Sequence, residues 1–232
     1  LGMNVVMSEG YSATAPDLSS LVTKLKRSRP DVILHTGYNP DITLFLRQAK
    51  EQGLRFKALI GHGAGYGVPD KLYDALGSDI DHIFNVDPVS IWLLDPKSLA
   101  AGLPEITEMV GTEYQKAKPE MKGKSASLGQ GASNSFVFFD DVLPRAIKKY
   151  GGIDSEALRK AAMDTDIATG GTLLGYGVKF PQKGENDMMG QNKRASPVVM
   201  QYVDRKVFIA WPKALQTIDP VLPLPSSSSF SK

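Results

Sequence analysis

The chain has 232 residues and no cysteine, and 27 Lys+Arg against 25 Asp+Glu leave a formal net charge of +2. With 42% hydrophobic and 22% charged residues it has the make-up of a folded chain of one or two domains, which excludes wholesale disorder. Balanced charge excludes an electrostatic nucleic-acid binder, and the lack of cysteine excludes disulfides, thiolate catalysis, iron–sulfur clusters and cysteine-ligated zinc. No stretch approaches the roughly 18 apolar residues of a membrane span.

The chain opens at Leu1-Gly2-Met3 and enters Val5-Val6 at once, which reads as the middle of a domain. Residues 3–6 form a short apolar run and predict a strand. Asp17 caps a helix that carries Leu18, Leu21, Val22 and Leu25 on one face and ends at Pro30. Asp31-Val32-Ile33-Leu34-His35 predicts a strand, and its three consecutive apolar residues predict burial on both faces. Asn39-Pro40 reads as a cap and first helical residue, followed by Ile42, Phe45, Leu46 and Ala49 on one face. Further strands are predicted over 57–60 and 82–86, with a helix from Pro69 to Leu76 between them. Strands alternating with helices predict a parallel sheet with ligands beyond its strands' carboxyl ends. Two loops leave such ends: Thr36-Gly37-Tyr38-Asn39, and Gly61-His62-Gly63-Ala64-Gly65-Tyr66-Gly67.

After Asp87 the rhythm breaks. Helices are predicted over 104–118, 134–150 and 154–162, with no strands between them and with apolar faces that need a sheet from elsewhere. Residues 170–190 are rich in glycine and turns. Val198-Val199-Met200-Gln201-Tyr202-Val203 and Val207-Phe208-Ile209-Ala210-Trp211 predict a hairpin turning at Asp204-Arg205-Lys206. The serine-rich tail from Pro220 reads as a loose strap or a disordered end.

The alternating glycines from Gly61 to Gly67 match neither the dinucleotide fingerprint nor the phosphate loop. They read as a loop whose backbone N–H groups approach an anion, or as a plain strand-to-helix turn. His35, His62 and His82 lack metal-site spacing. His35 reads as a core or strand-end residue, while His62 lies in the glycine loop. Tyr38, just past a strand end, can stack on a ligand and donate a hydrogen bond, or pack on the next helix. Glu185-Asn186-Asp187 and Gly190-Gln191-Asn192 lack the alternating ligands of a calcium loop and read as polar turns. No serine lies in Gly-x-Ser-x-Gly, and Asp140-Asp141 diverge on a helix, so no acid/base or nucleophile set emerges.

Taken in order, Asp17-Leu-Ser-Ser-Leu-Val-Thr-Lys-Leu-Lys26, Arg29-Pro-Asp-Val-Ile-Leu34, Thr36-Gly-Tyr38, Leu46-Arg-Gln-Ala-Lys50 and Ile60-Gly61 resemble the second lobe of type I periplasmic solute-binding proteins. The branch is that of branched-chain amino acid and amide uptake, the Leu/Ile/Val-binding proteins. Gly190-Gln-Asn192 and Val198-Val-Met-Gln201, through Val207 to Pro212, resemble that family's C-terminal segment. The resemblance implies an α/β fold of two Rossmann-like lobes with parallel sheets, the first lobe's sheet being absent from this chain. Residues 1–87 would be the second lobe, incomplete at its N-terminus. Residues 88–197 would be a helical return segment of the first lobe, with hinge strands near 86–88 and 196–199. Residues 198–232 would be the C-terminal hairpin of the second lobe plus tail.

The same resemblance implies no enzyme and no cofactor, but the solute-binding component of an ABC-type importer. A small molecule (amino acid, amide or carboxylate) would be held between two lobes and delivered to a permease. The location would be the periplasm, with a signal peptide in a preceding segment and no membrane insertion or nucleic acid. The alternative is a cytoplasmic amide or amino-acid sensor on the same scaffold. The implied ligand contacts are Tyr38, Gly61, His62 and Gly63 from the second lobe, and Gln130 and Asn134, at a helix start, from the first. Amino-acid binders of the family place a glutamate near Gly63 to meet the ligand ammonium. No acid lies between Gly61 and Pro69 here, so the expected ligand does not depend on a free ammonium. Arg205 stands where the family has glycine, and a positive φ there would carry strain.

Overall fold

A computed structural model describes residues 2–63, 65–121, 129–181 and 190–232. They divide into two compact units, one of residues 2–87 and 198–232, the other of the described residues between 88 and 197.

The first unit is built on a five-stranded sheet in the order β1 (Val32–Thr36), β2 (Ala58–His62), β3 (Phe84–Asp87), β6 (Val198–Val203), β7 (Lys206–Trp211). β1, β2 and β3 are parallel, with Thr36 opposite His62 and His62 opposite Val86. β6 returns antiparallel to β3, with Asp87 opposite Val198, and β7 pairs antiparallel to β6. Helix α1 (Ser19–Ser28) precedes β1, α2 (Asn39–Glu51) crosses from β1 to β2, and α3 (Pro69–Leu76) from β2 to β3. Their apolar faces supply the core: Val22, Ile42, Phe45, Leu46, Ala49 and Leu72 are all buried. At roughly 1.5–3 kcal/mol for each large apolar side chain taken out of water, this face drives the sheet and helices together.

Four expectations change here. Residues 3–6 form no strand, and Met3 and Val5 are exposed. A strand needs a ladder partner, and among the described residues none pairs with the outer edge of β1. β1 itself is buried on one face only. Ile33 and His35 point at the helices, while Val32 and Leu34 are exposed, because the helical layer covers a single side at this edge. Tyr38, not Asn39, is the N-cap of α2, fixed by its backbone N–H donating to Asp41 Oδ1 at 2.9 Å. β3 starts at Phe84 because His82 takes a φ of 66°, outside strand geometry.

The tail is neither loose nor disordered. Leu224 and Phe230 are buried, Phe230 stacks on Phe56 with centroids 5.2 Å apart, and Phe56 N–H donates to Phe230 O at 2.9 Å. The serines obscured these two apolar anchors. In the hairpin turn Asp204 and Arg205 have φ of 49° and 63°, the left-handed pair of a type I′ turn. Each residue there costs about 1–2 kcal/mol without glycine. Arg205 offsets part of this through Nη1 and Nη2, each 3.0 Å from Asp74 Oδ1, and by lying 5.4 Å over the Tyr73 ring.

The second unit holds α4 (Leu103–Ala117), α5 (Gln130–Val137), a π-helical turn (Phe138–Val142), α6 (Leu143–Tyr150) and α7 (Ser155–Met163). It is not free of strands: β4 (Asp166–Ile167) pairs antiparallel with β5 (Val178–Lys179). The single helix expected over 134–150 is interrupted by the wider turn. Pro144 has no N–H for the Asp140 carbonyl and its ring crowds that carbonyl, so the preceding residues widen to accommodate it. Val142, Ala146 and Ala161 form the core joining α6 to α7, with Leu158 against them. Asp154 caps α7 by accepting from the N–H groups of Glu156 and Ala157, both at 3.0 Å. Met109, Phe139 and Ile147 keep their apolar side chains exposed.

Candidate functional site

The carboxyl ends of β1 and β2 carry Tyr38, Gly61, His62 and Gly63 to one edge of the first unit's sheet. Tyr38 is 65% exposed, a large value for an aromatic ring at a strand end. His62 is also exposed. Gly63 has a φ of +52° and open space where a Cβ would stand, and its N–H donates to Val86 O at 3.2 Å.

The two loops meet through glycines. Gly65 N–H donates to Gly37 O at 3.1 Å, and a Cβ on Gly65 would lie 2.6 Å from the Asn39 backbone nitrogen. A Cβ on Gly37 would lie 2.4 Å from Asp41 Oδ2, and one on Gly61 2.4 Å from the Tyr66 ring. Glycine is required at these three places by close approach.

Four of the loop's described N–H groups are therefore turned inward and not offered to an anion. The N–H groups of Gly63, Gly65, Tyr66 and Val68 are spent on Val86 O, Gly37 O, Gly63 O and Gly65 O. The Tyr66 phenol turns inward as well: its hydroxyl meets His35 Nδ1 at 2.7 Å, and Tyr202 O–H donates to the Tyr66 carbonyl. His35 Nε2 lies 2.7 Å from the Tyr11 hydroxyl, which donates to Asp41 Oδ2 at 2.5 Å. Burial holds His35 well below its ordinary value, at about 4 against 6.5, with the Asp41 charge pulling weakly the other way. Burial, together with the Asp41 hydrogen bond, raises the Tyr11 phenol. Burial likewise raises the Tyr66 and Tyr202 phenols. His35 is thus the core residue its strand position suggests, and Tyr38 and His62 stand with Thr36 among the exposed polar side chains of this edge. The sequence offered no signal for Tyr11, which lies in a segment without periodicity. Nor did the sequence reading single out Asp41, which ends this chain from the first turn of α2.

Gln130 and Asn134 lie in the second unit, both exposed on the first two turns of α5. Asn134, with buried Ser133, borders a cavity of about 510 Å³ lined also by Val137, Leu158 and Tyr176. Asn192 serves as a turn brace: its Oδ1 accepts from Lys179 N–H at 2.9 Å, and its Nδ2 donates to Gly177 O at 2.9 Å. Residues 185–187 lie outside the described residues. Among the described residues no three potential metal ligands cluster, and no helix is long and apolar enough to cross a membrane.

A mixed sheet with three parallel strands joined by crossover helices, an exposed aromatic past a strand end and an inserted helical unit agree with a type I solute-binding fold. The sequence pattern of the periplasmic binding protein family matches residues 1–197, and the chain belongs to that family. Its members are solute-binding proteins, not enzymes. Leu/Ile/Val-binding protein homolog 7 of Brucella suis biovar 1 (strain 1330) is 35% identical over 214 residues, 92% of this chain and 49% of that protein. Leu/Ile/Val-binding protein homolog 8 of Brucella abortus (strain 2308) is 34% identical over 213 residues, 91% of this chain and 48% of that protein. The chain spans about half the length of the curated relatives it matches. In fold it is similar to a branched-chain amino acid ABC transporter protein from Thermus thermophilus with bound valine. That match has a TM-score of 0.58 and 15% identity, over 86% of this chain and 50% of the other. A leucine-binding protein of Thermotoga maritima MSB8 gives a TM-score of 0.55 and 21% identity, over 86% and 49%.

Proposed function

We propose that the chain is part of the solute-binding component of an ABC-type importer, and that it takes a small polar or amino-acid-like solute at the carboxyl edge of the first unit's sheet. On this reading residues 1–87 and 198–232 are the second lobe and 88–197 the return segment of the first. The protein works outside the cytoplasm and its partner is a membrane permease. The exposed Tyr38 ring beyond a parallel strand carries the reading: such a ring gives a solute a face to stack on and a hydroxyl to bond. Relatives named as Leu/Ile/Val-binding proteins support the solute class.

This edge suits a carboxylate, carbonyl or amide better than an ammonium. Tyr38 and His62 can donate, whereas Asp41 is buried and already accepts from Tyr11 O–H and Tyr38 N–H. The test is calorimetry on the complete gene product with leucine, its keto and hydroxy analogues, short amides and aromatic carboxylates. Binding of a member that lacks the ammonium is expected, and Tyr38→Ala weakens it by roughly tenfold to a hundredfold with folding unchanged. Binding of leucine alone overturns the ligand preference. An unchanged dissociation constant in Tyr38→Ala overturns the site.

A further inference from the structure

The buried hydrogen-bond chain has only one consistent direction. Asp41 accepts without donating, so the Tyr11 hydroxyl donates a hydrogen bond to it at 2.5 Å. Tyr11 then accepts from His35 Nε2–H, which leaves Nδ1 without a proton and makes it the acceptor for Tyr66 O–H. The Nε2–H tautomer of His35 is assigned by this chain of partners. The four side chains come from the segment before α1, from β1, from α2 and from the loop after β2, so the chain crosses the elements that carry both exposed loops.

We propose that the Tyr66–His35–Tyr11–Asp41 chain locks residues 36–38 and residues 61–63 and 65–67 into one surface, and frees both together when His35 takes up a second proton. Doubly protonated, His35 donates from both nitrogens. The Tyr66 oxygen can then only accept from Nδ1–H, its own O–H loses the one acceptor seen for it among the described residues, and that unmatched buried donor weakens the chain. Among the described residues Asp41 is the one charged group facing His35. The other groups packed on it are Tyr11 from the N-terminal segment, Phe45 from α2 and Tyr66 from the loop, with Tyr202 of β6 behind Tyr66. Asp41 attracts the imidazolium, but its oxygens are taken by Tyr11 and by Tyr38 N–H.

The sign follows from burial. His35 binds its second proton at about 4 when enclosed and near 6.5 when open. The locked form is therefore fully favoured above 6.5 and is lost as the pH falls through 4. His35 is a positioning residue. It acts on a solute only through Tyr38 and the loop, so its importance for binding rests on the function proposed above.

The test is hydrogen exchange of the complete gene product between pH 7 and pH 4, expressed as protection factors, with nitrogen-15 imidazole spectra of the same samples. Protection at Tyr38, Gly65 and Tyr66 is expected to fall together, by up to about tenfold per pH unit within the window. The neutral imidazole spectrum is expected to show Nε2–H. His35→Gln keeps one donor and one acceptor but cannot take the second proton, so its loops should lose the pH dependence. Loss of protection in one loop alone, an Nδ1–H tautomer at neutral pH, or an equal pH dependence in His35→Gln overturns the proposal. If His35→Gln does not fold, the wild-type spectra and exchange decide. No solute enters these measurements, so failure of the binding reading leaves their outcome interpretable.

Discussion

Phe230→Ala is expected to destabilise the first unit by about 3–5 kcal/mol, the range for removing a buried aromatic side chain. Phe230 is 1% exposed and stacks on Phe56, which is wholly buried. The ring does more than fill space. It fastens a segment that donates Leu224 N–H to Lys57 O at 2.8 Å, beside the parallel bridge between Phe56 and Ser231. Upstream, Gln201 Nε2 and Oε1 hold Val221 by its carbonyl and N–H, at 3.0 and 2.9 Å. Losing the ring therefore leaves a cavity and frees a strap that covers the start of β2. Urea denaturation followed by far-ultraviolet dichroism reads the effect. Leu222→Ala is the control, because Leu222 is 60% exposed and its loss should be nearly neutral. Equal midpoints for Phe230→Ala and wild type would show that the tail is not part of the cooperative unit.

In the second unit, Arg145→Met is expected to cost about 2–4 kcal/mol, below the range for a fully buried ion pair because the side chain remains partly exposed. The Arg145 guanidinium pairs with Asp141, and its Nη1 donates to Ala161 O at 2.8 Å and to Thr165 Oγ1 at 3.2 Å. Thr165 O–H donates to Asp141 Oδ2 at 2.8 Å, so one arginine ties the π-helical turn, α6 and the end of α7 together. Methionine keeps most of the length and leaves Asp141 with a half-buried charge. Adding Asp141→Leu should recover part of the loss, because no unpaired carboxylate then remains. A double variant no more stable than Arg145→Met would show that the hydrogen bonds to Ala161 and Thr165, rather than the stranded charge, dominate.

The parallel part of the sheet was legible because proline and glycine stops and apolar spacing agreed along the elements from Asp17 to Val86, although the cap residues of α1 and α2 fell one position away from those expected, at Leu18 and Tyr38. The misreadings have local causes. Val32, Ile33 and Leu34 look alike as a run, and only the position of β1 at the sheet edge makes the outer two exposed. Pro144 was visible, but whether proline ends a helix or widens a turn depends on the packing of α6 against α7. At the site, Tyr38 and His62 could be placed by counting from strand ends. The inward turn of Tyr66 could not, because it depends on Gly61 leaving room for the ring and on His35 lying 31 residues away.

The directed chain from Tyr66 to Asp41 also constrains how this sequence can vary. A phenylalanine at position 66 removes the donor that His35 Nδ1 needs, and one at position 11 strands both His35 Nε2–H and the Oδ2 of Asp41. Each single change leaves a buried polar atom unmatched, at roughly 1–3 kcal/mol. A set of apolar replacements at positions 11, 35 and 66, with a residue at 41 that still caps α2, leaves none. These positions are therefore coupled epistatically: among homologues they should be exchanged as a group, and chains caught midway between the two sets should be rare.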